Sequence, residues 1–564
     1  MEDNGKRTLL AFALAMAVLF VWQYFFTPKP QPKVAAMAAD ASVMQQDGGV
    51  QAAAAAKDVP VSGEKATGAS PAVQAPEIAA KAAPKAPEKI YRVANELWDA
   101  EFSTNGAALV SFKLKKYSVA TKDPARVDLV RVPLGSEVQP LSSTFAKGSG
   151  IEMDPAAGFE LVSQTATSLS FRWKGQGAEV EKTYTFAPGE YSMDVVTSVR
   201  NTGDRKLSVK PVLNWVEKAP EFVQSSSSWF SPSAPEDYHQ PASLMNDKFE
   251  KFDQSKYTGK TEAFEGRLEW AGADSRYFLA AIVPQIPGRT TWDLSVAANG
   301  AFTAAVVHPD LEIDPGQSAK ASFKVFVGPK DYGMLKKLNY GLDRAVDFGW
   351  LTVLCVPMLW LLRLFYGFIG NWGVAIIFLT ILVKLISMPL TVKSYRSMQE
   401  MAKLKPKIDE LQKKYKDDRQ KQSEEMMKLY QQHGVSPLSG CLPMLLQMPI
   451  WIALYRMLYG AVELYQTHFI RGWLDNLAEK DPYYILPVLM GVGMFFQQKL
   501  TPQTMDSQQA KVMLYFMPIF FTLIMLSLPS GLTLYIFVNT LLSIAHQFYI
   551  NRNARTVTAP GTAS

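Results

Sequence analysis

Two hydrophobic patterns divide this 564-residue chain. Leu9 to Phe26 is an apolar run broken only by Gln23, and long apolar stretches return after about Trp350. Between them, over 90–330, apolar and polar residues alternate with a period of two. Examples are Leu169-Ser-Phe-Arg-Trp173, Glu181-Lys-Thr-Tyr-Thr-Phe186 and Tyr191-Ser-Met-Asp-Val-Val-Thr-Ser-Val199. That period sends alternate side chains to one face of a strand. Turn signals recur between the runs, at Asn105-Gly106, Pro188-Gly189, Asn201-Thr-Gly203, Asn299-Gly300 and Pro315-Gly316. Many strands with turns at short intervals predict a β-sandwich. Val223 to Phe252, rich in Ser, Pro and Asp, is expected to be a loop.

The first apolar run is about 18 residues, or about 27 Å of helix, enough to cross a bilayer core. Trp22, Tyr24, Phe25 and Phe26 form an aromatic belt at its outer end, and Lys6 and Arg7 hold its start in the cytoplasm. A cleavable signal peptide is the rival reading. Its candidate cleavage site, Ala36-Met37-Ala38, lies too far beyond the run for the usual layout. Residues 27–89, rich in Ala, Pro, Lys and Gln, lack the large apolar residues needed for a core and read as a disordered tether.

Asp331 to Gly349 places Met334, Leu335, Leu338, Leu342, Ala345, Val346 and Phe348 at helical spacing, as expected of a helix lying on a membrane surface. Five apolar stretches follow: Leu351 to Ile369, Trp372 to Leu390, Leu438 to Leu458, Tyr483 to Phe496, and Val512 to Ile550. The last is too long for one span, and Pro529-Ser-Gly531 divides it into two helices. Lys393 to His433 carries eleven Lys/Arg against seven Asp/Glu, so it is expected in the cytoplasm, as is the tail with Arg552 and Arg555. One crossing must then separate the β domain from Lys393. Either Leu351 to Ile369 is interfacial and the next stretch spans, or the two form one bent helix.

The predicted order is a cytoplasmic N-terminus (1–8), a first span (9–26), the linker (27–89), a periplasmic β domain (90–330) and an amphipathic interfacial segment (331–369). A second span (370–391), a cytoplasmic helical hairpin (392–435), spans three to six (436–550) and a cytoplasmic tail (551–564) complete it. The fold class is a multi-domain membrane protein with an α-helical bundle of six spans, both termini inside.

Within 392–435, Met398, Met401, Leu404, Ile408, Leu411 and Tyr415 form one apolar seam, and Met426, Leu429, Tyr430 and His433 a second, with a turn expected at Asp417-Asp418. Such a hairpin either packs on itself or offers its methionines and basic residues to partners; Met398, Met401, Lys405, Lys413 and Lys414 are the candidate contacts. Lys384 stands among Ile, Leu, Val and Phe in the second span. A lysine at mid-helix costs roughly 2.5–3.5 kcal/mol. It sits toward the cytoplasmic end, so its ammonium either snorkels to the inner headgroups or faces a cavity open to the cytoplasm. Thr380 lies one turn away on the same face. Gln447, Gln497, Gln498, Asn539, Thr540 and Ser543 could line the same groove from other spans.

The net charge of +6 clusters near the spans and does not argue for nucleic-acid binding. The two cysteines, Cys355 and Cys441, lie in apolar segments and offer neither a disulfide framework nor a CxxC metal site. No nucleotide-binding GxxxxGK[ST] loop occurs. No cofactor, metal or catalytic site is expected. His239 and His308, the only histidines of the β domain, read as structural.

The membrane half resembles the YidC/Oxa/Alb family of membrane protein insertases. The matching residues are Gly370-Asn-Trp-Gly373, Met388-Pro-Leu-Thr391, Gln431-Gln-His-Gly-Val-Ser-Pro-Leu-Ser-Gly-Cys-Leu-Pro443, Gln447-Met-Pro449, Asp481-Pro-Tyr-Tyr-Ile-Leu-Pro487, Phe516-Met-Pro518 and Pro529-Ser-Gly531. The anchor plus outer domain resembles the Gram-negative form. The resemblance implies a β-supersandwich similar to sugar mutarotases in the periplasm and insertion of proteins into the inner membrane, alone or with the Sec translocon. It implies nascent membrane proteins, ribosomes or targeting factors, and membrane lipids as partners. It also implies a hydrophilic groove with a basic residue, here Lys384 where the family usually has arginine, and places Thr380 and Tyr535 along that groove, which Gln447 joins as a candidate from its own span. Lysine keeps the charge but loses the bidentate fork.

Two other readings compete. A secondary transporter would show internal repeats and a midplane site, and none is visible. A membrane-anchored carbohydrate-binding protein would leave Lys384 and the hairpin unexplained.

Overall fold

The computed structural model describes residues 88–120, 123–132, 136, 138–218, 239–286, 288–415, 418–433, 442–501 and 507–557. The first apolar run, the linker and Cys441 lie outside them.

The alternating stretch forms the expected β domain. Nine antiparallel strands make one sheet, in the order Lys248–Lys251, His239–Met245, Leu268–Ser275, Phe278–Pro284, Ser318–Pro329, Ser192–Asn201, Ala178–Phe186, Ser168–Gly175 and Glu160–Gln164. A five-stranded sheet runs Thr261–Gly266, Thr290–Val296, Ala301–Val307, Pro211–Lys218 and Ser143–Phe145. Residues 90–128 add a four-stranded meander, and Leu207–Val209 pairs with Leu311–Ile313. Alternation survives in strands with one solvated face: in Thr290–Val296 every second residue is buried. Phe278–Pro284 is buried at every position, because it is covered on both faces. Trp215, Trp292 and Phe302 of the smaller sheet share a core with Phe171, Tyr184, Trp270 and Phe323 of the larger. Phe264 stacks on Trp292 with ring centroids 5.0 Å apart.

Residues 239–251, read from the sequence as loop, instead form a hairpin at the edge of the larger sheet. Its turn is Asn246-Asp247, both at positive φ, which is the backbone a two-residue hairpin turn requires. Small and polar residues in His239-Gln-Pro-Ala-Ser-Leu-Met245 disguise the alternation.

The expected surface helix over 331–349 is also corrected. Helix α1 covers only Tyr332–Leu338, capped by Asp331, whose carboxylate accepts from Met334 N at 2.8 Å. Asn339 and Gly341 take left-handed backbone and end it. Leu335, Leu342 and Ala345 then pack into the β-domain core, so this apolar face is satisfied by protein.

Helix α2 (Thr352–Ile369) leads through Gly370 and Asn371 into α3 (Trp372–Lys403). Helix α3 runs past the anticipated boundary at 391 and carries Pro389 inside it. Then come α4 (Lys405–Lys414), α5 (Arg419–Gln432), α6 (Leu442–Gly460), α7 (Ile485–Leu500), α8 (Ser507–Met525) and α9 (Ser530–Val557). Asp418 caps α5, its carboxylate accepting from Lys421 N at 3.1 Å. The break at Pro529-Ser-Gly531 is found as expected. The first amides of α9 are capped by loop carbonyls, Ser530 N by Glu479 O at 2.6 Å and Gly531 N by Leu477 O at 2.9 Å. Among the described residues, Gly349–Ile369, Trp372–Lys403 and Ser530–Ile550 are long and apolar enough to cross a membrane, with shorter apolar helices at Ile485–Leu500 and Lys511–Met525.

Candidate functional site: a lysine in the helix bundle

The start of α3 is fixed by close packing. Asn371 caps it, accepting from Val374 N at 3.1 Å and donating through Nδ2 to Phe469 O at 3.1 Å. Gly370 supplies the left-handed turn (φ 71°), and Trp372 stacks on Tyr366 at 3.9 Å. Gly373 lies against the Phe469 ring so closely that a Cβ would come within 2.1 Å of it. The sequence Gly370-Asn-Trp-Gly373 is therefore a joint whose four residues each have a steric or hydrogen-bonding task.

Three turns on, Lys384 Nζ donates to Ser543 Oγ at 2.7 Å and approaches Asn539 Oδ1 at 3.4 Å. Both partners are neutral and belong to α9. Ser543 Oγ in turn donates to Asn539 O at 2.7 Å. Among the described residues Lys384 has no carboxylate partner. It borders a cavity of about 270 Å³ between α3 and α9, whose wall includes Ile381, Leu385, Met388, Leu542 and His546. The lining is mostly apolar, with Lys384 and His546 as its cation and its imidazole.

The other candidate groove residues are distributed. Thr380 is buried one turn from Lys384, but its hydroxyl donates to Ile376 O at 2.7 Å within the helix. Gln447 of α6 donates to the Tyr535 hydroxyl of α9 at 3.1 Å, a separate polar contact. Thr540 points instead toward α7, where Gly493 leaves room for it. Asn539 and Ser543 thus join Lys384, whereas Gln447 and Tyr535 join each other. His546 went unrecognised in the sequence. Its signal was the spacing 539, 543, 546, which is i, i+4, i+7 on one helical face.

In the hairpin, Met401 and Leu404 are buried against Ile408 and Tyr430. Met398 and Lys405 are half-buried, while Lys413 and Lys414 are exposed.

The bundle is tied to the β domain by charge and aromatic contacts. Arg363 of α2 meets Asp331 at 3.2 Å and binds Glu463, its Nε lying 2.8 Å from Oε1. Burial raises the Glu463 carboxyl pKa, and Arg363 opposes the shift. Arg276 donates to Tyr459 O at 2.9 Å and lies 3.7 Å over the Tyr459 ring. Tyr465 donates to Ser118 O at 3.0 Å. Asp481 caps the next helix, accepting from Trp473 Nε1 at 2.9 Å, Tyr483 N at 3.0 Å and Leu486 N at 2.7 Å.

Residues 364–557 match the family described as 60Kd inner membrane protein, and residues 90–361 match the YidC periplasmic domain. The chain is 38% identical to the membrane protein insertase YidC of Syntrophus aciditrophicus, over 97% of this chain and 100% of that protein. It is 38% identical to the membrane protein insertase YidC of Anaeromyxobacter dehalogenans, over 99% of each. A solved structure titled as an active YidC insertase with its first transmembrane domain resolved shares 19% identity, covering 82% of this chain and 93% of that one, with a TM-score of 0.35. With similarity of this level running through both the β domain and the helix bundle, the chain belongs to the YidC family of membrane protein insertases.

Proposed function

We propose that this protein inserts other proteins into the bacterial inner membrane and assists their folding, with Lys384 as the charge that receives them. The observation that carries the reading is the company Lys384 keeps. A carboxylate partner would cancel its field. Ser543 and Asn539 instead hold the ammonium by neutral oxygens and leave a net positive charge beside a cavity. In a low-dielectric site such a charge acts strongly on an acidic group of an arriving segment. The apolar part of that segment then moves into lipid. Thr380, Gln447 and Tyr535 belong to the same path, Gln447 and Tyr535 as its polar contact on α6 and α9. The reaction is transfer between solvents, so the reading invokes no bond-making residue and no cofactor.

The topology that fits is six spans with both termini in the cytoplasm: Leu9 to Phe26, then α3, α6, α7, α8 and α9. Helix α2 lies in the outer interface. Its exposed residues Val353, Trp360, Leu364 and Phe368 fall on one stripe that Trp350 in the preceding turn continues, while Cys355, Leu359 and Leu362 face protein. Its Arg363 is paired with Asp331, two residues past the last β strand. A spanning α2 would draw that ion pair into hydrocarbon. The hairpin of α4 and α5 then faces the cytoplasm, where Met398, Lys405, Lys413 and Lys414 are contacts for ribosomes or targeting factors. Met401 acts there through the seam it packs in. Nascent membrane proteins are the substrates, and the Sec translocon a partner for some of them.

Depletion of the protein from cells tests this. Small membrane proteins are expected to accumulate uninserted. Normal insertion together with a solute-uptake defect would contradict the reading and favour a transporter.

A further inference from the structure

A second groove, on the other side of α9 from Lys384, has no part in the function just described. It is an open cleft of about 580 Å³ between α7 and α9, lined by Leu489, Val492, Phe496, Leu541 and Ile544, with Lys499 at one end. Gly493 forms part of its floor. A Cβ there would lie 3.2 Å from Thr540 Cγ2, so the absent side chain lets the two helices approach. Val492, Phe496 and Leu541 are each about half exposed, leaving an apolar channel open along its length.

Two measurements decide what fits it. From Leu489 to Lys499 the helix rises about 15 Å. That is half of a hydrocarbon core of about 30 Å, so the groove is one leaflet deep. A crossing peptide helix would need twice that length. The other measurement is charge. Lys499 makes no ion pair among the described residues. It sits at a helix end held in place by neighbours: Tyr395 donates to Leu500 O at 3.2 Å, and Gln547 Nε2 to Thr501 Oγ1 at 3.3 Å. Over 485–557 the sequence carries Lys499, Lys511, Arg552 and Arg555 against one acid, Asp506.

We infer that this groove holds one acyl chain of an anionic phospholipid of the cytoplasmic leaflet, with its phosphate on Lys499. The methylenes fill the apolar channel, and the ammonium binds phosphate as a point charge. The site rests on the proposed topology, which puts Lys499 on the cytoplasmic side, and not on insertase activity.

The test is native mass spectrometry of the full chain, with dioleoylphosphatidylglycerol and dioleoylphosphatidylcholine as probes. One lysine near a membrane surface is worth about 1 kcal/mol, or roughly fivefold. Phosphatidylglycerol is therefore expected to be retained roughly fivefold over phosphatidylcholine. Lys499→Gln should remove that preference, and Lys511→Gln should leave it intact. Val492→Trp, or Leu541→Trp if the first variant folds poorly, should lower retention of both lipids by filling the channel. Equal retention of the two lipids by the unaltered chain would overturn the inference. So would an equal loss in Lys499→Gln and Lys511→Gln, which marks diffuse surface charge. A photoreactive phosphatidylglycerol should label 488–496 through its acyl chain; labelling of the groove by a nascent membrane segment instead would also overturn it. Labelling of Lys499→Cys from the periplasmic face alone would refute the leaflet assignment while leaving the insertion experiments untouched.

Discussion

In the β domain the buried Asp274 carboxylate lies 2.6 Å from Lys330 Nζ and 3.0 Å from Lys251 Nζ; in the helix bundle the partners of Lys384 Nζ among the described residues are a serine hydroxyl and an asparagine amide oxygen. Other buried polar groups of the β domain follow the first pattern. Glu217 accepts from Trp215 Nε1 at 3.1 Å and meets His239, whose other ring nitrogen is 2.7 Å from Arg131. Lys182, fully buried and with no carboxylate partner among the described residues, donates to Leu141 O, and burial holds its pKa well below the usual lysine value. At these sites the β domain pairs a buried charge or, at Lys182, neutralises one, while its buried Arg276 is held by the Tyr459 carbonyl and ring. Either solution leaves little field outside. Neutral partners in the bundle do the reverse: they position the Lys384 ammonium without cancelling it. On the proposed function, a structural charge is quenched locally, whereas the charge proposed to receive substrates stays unspent.

Reversing the unspent charge should have the largest effect on insertion. Lys384→Glu is expected to lower insertion of substrates with acidic translocated tails by roughly tenfold or more, which is about 1.4 kcal/mol. Lys384→Arg should stay within about threefold, because field attraction needs charge more than fork geometry. Equal insertion by the two variants in a reconstituted assay would remove the electrostatic role.

A quenched charge should matter to stability instead. Arg363→Ala leaves Glu463 buried and unpaired, a loss of about 3 kcal/mol in unfolding of the full chain. Glu463 in that variant has a folded-state pKa above its unfolded value. Stability from this group is then fully present below the unfolded pKa and is lost as pH rises through the folded one. The deficit should therefore shrink as pH falls into the carboxylate range; a deficit independent of pH there would show that Glu463 is not its cause.

At the joint before Lys384, Gly373→Ala should cost about 2 kcal/mol by pressing on Phe469. An unchanged unfolding midpoint would show that the ring has room to move. The smallest effect has the opposite sign. Lys182→Met should stabilise the chain by about 1–2 kcal/mol at neutral pH, since an apolar side chain replaces a buried amine. The native lysine has a folded pKa below its unfolded value, so its contribution is present above the unfolded pKa and is lost as pH falls toward the folded one. The advantage of methionine should accordingly fade as pH rises past the ordinary lysine pKa. An advantage that grows with pH would contradict this.

Much of the architecture could be read from period alone. Period two marked the strands around Ala178–Phe186, and the Pro529-Ser-Gly531 break separated α8 from α9. What period could not reveal was which partner covers an apolar face. Leu335, Leu342 and Ala345 have helical spacing suited to a membrane surface, yet the β-domain core covers them. The 239–251 hairpin hid because small and polar residues interrupt its alternation, with Asn246-Asp247 as the overlooked turn signal. At the candidate site Lys384 was legible because its charge is costly among apolar neighbours. Its partners were less so, since any serine or asparagine in α9 could have faced it. Only the fold separates Ser543 and Asn539, which meet Lys384, from Thr540, which faces α7.

The central claim is that the charge at position 384 receives the segments being inserted. A photoreactive amino acid placed at 384, in full-length protein bound to a ribosome stalled on a small membrane protein, tests it most directly. The account predicts crosslinks to the nascent segment that vanish when the chain is released, and none from a control position in the β domain. Crosslinks confined to lipid or to this protein's own helices, with insertion proceeding normally, would contradict it.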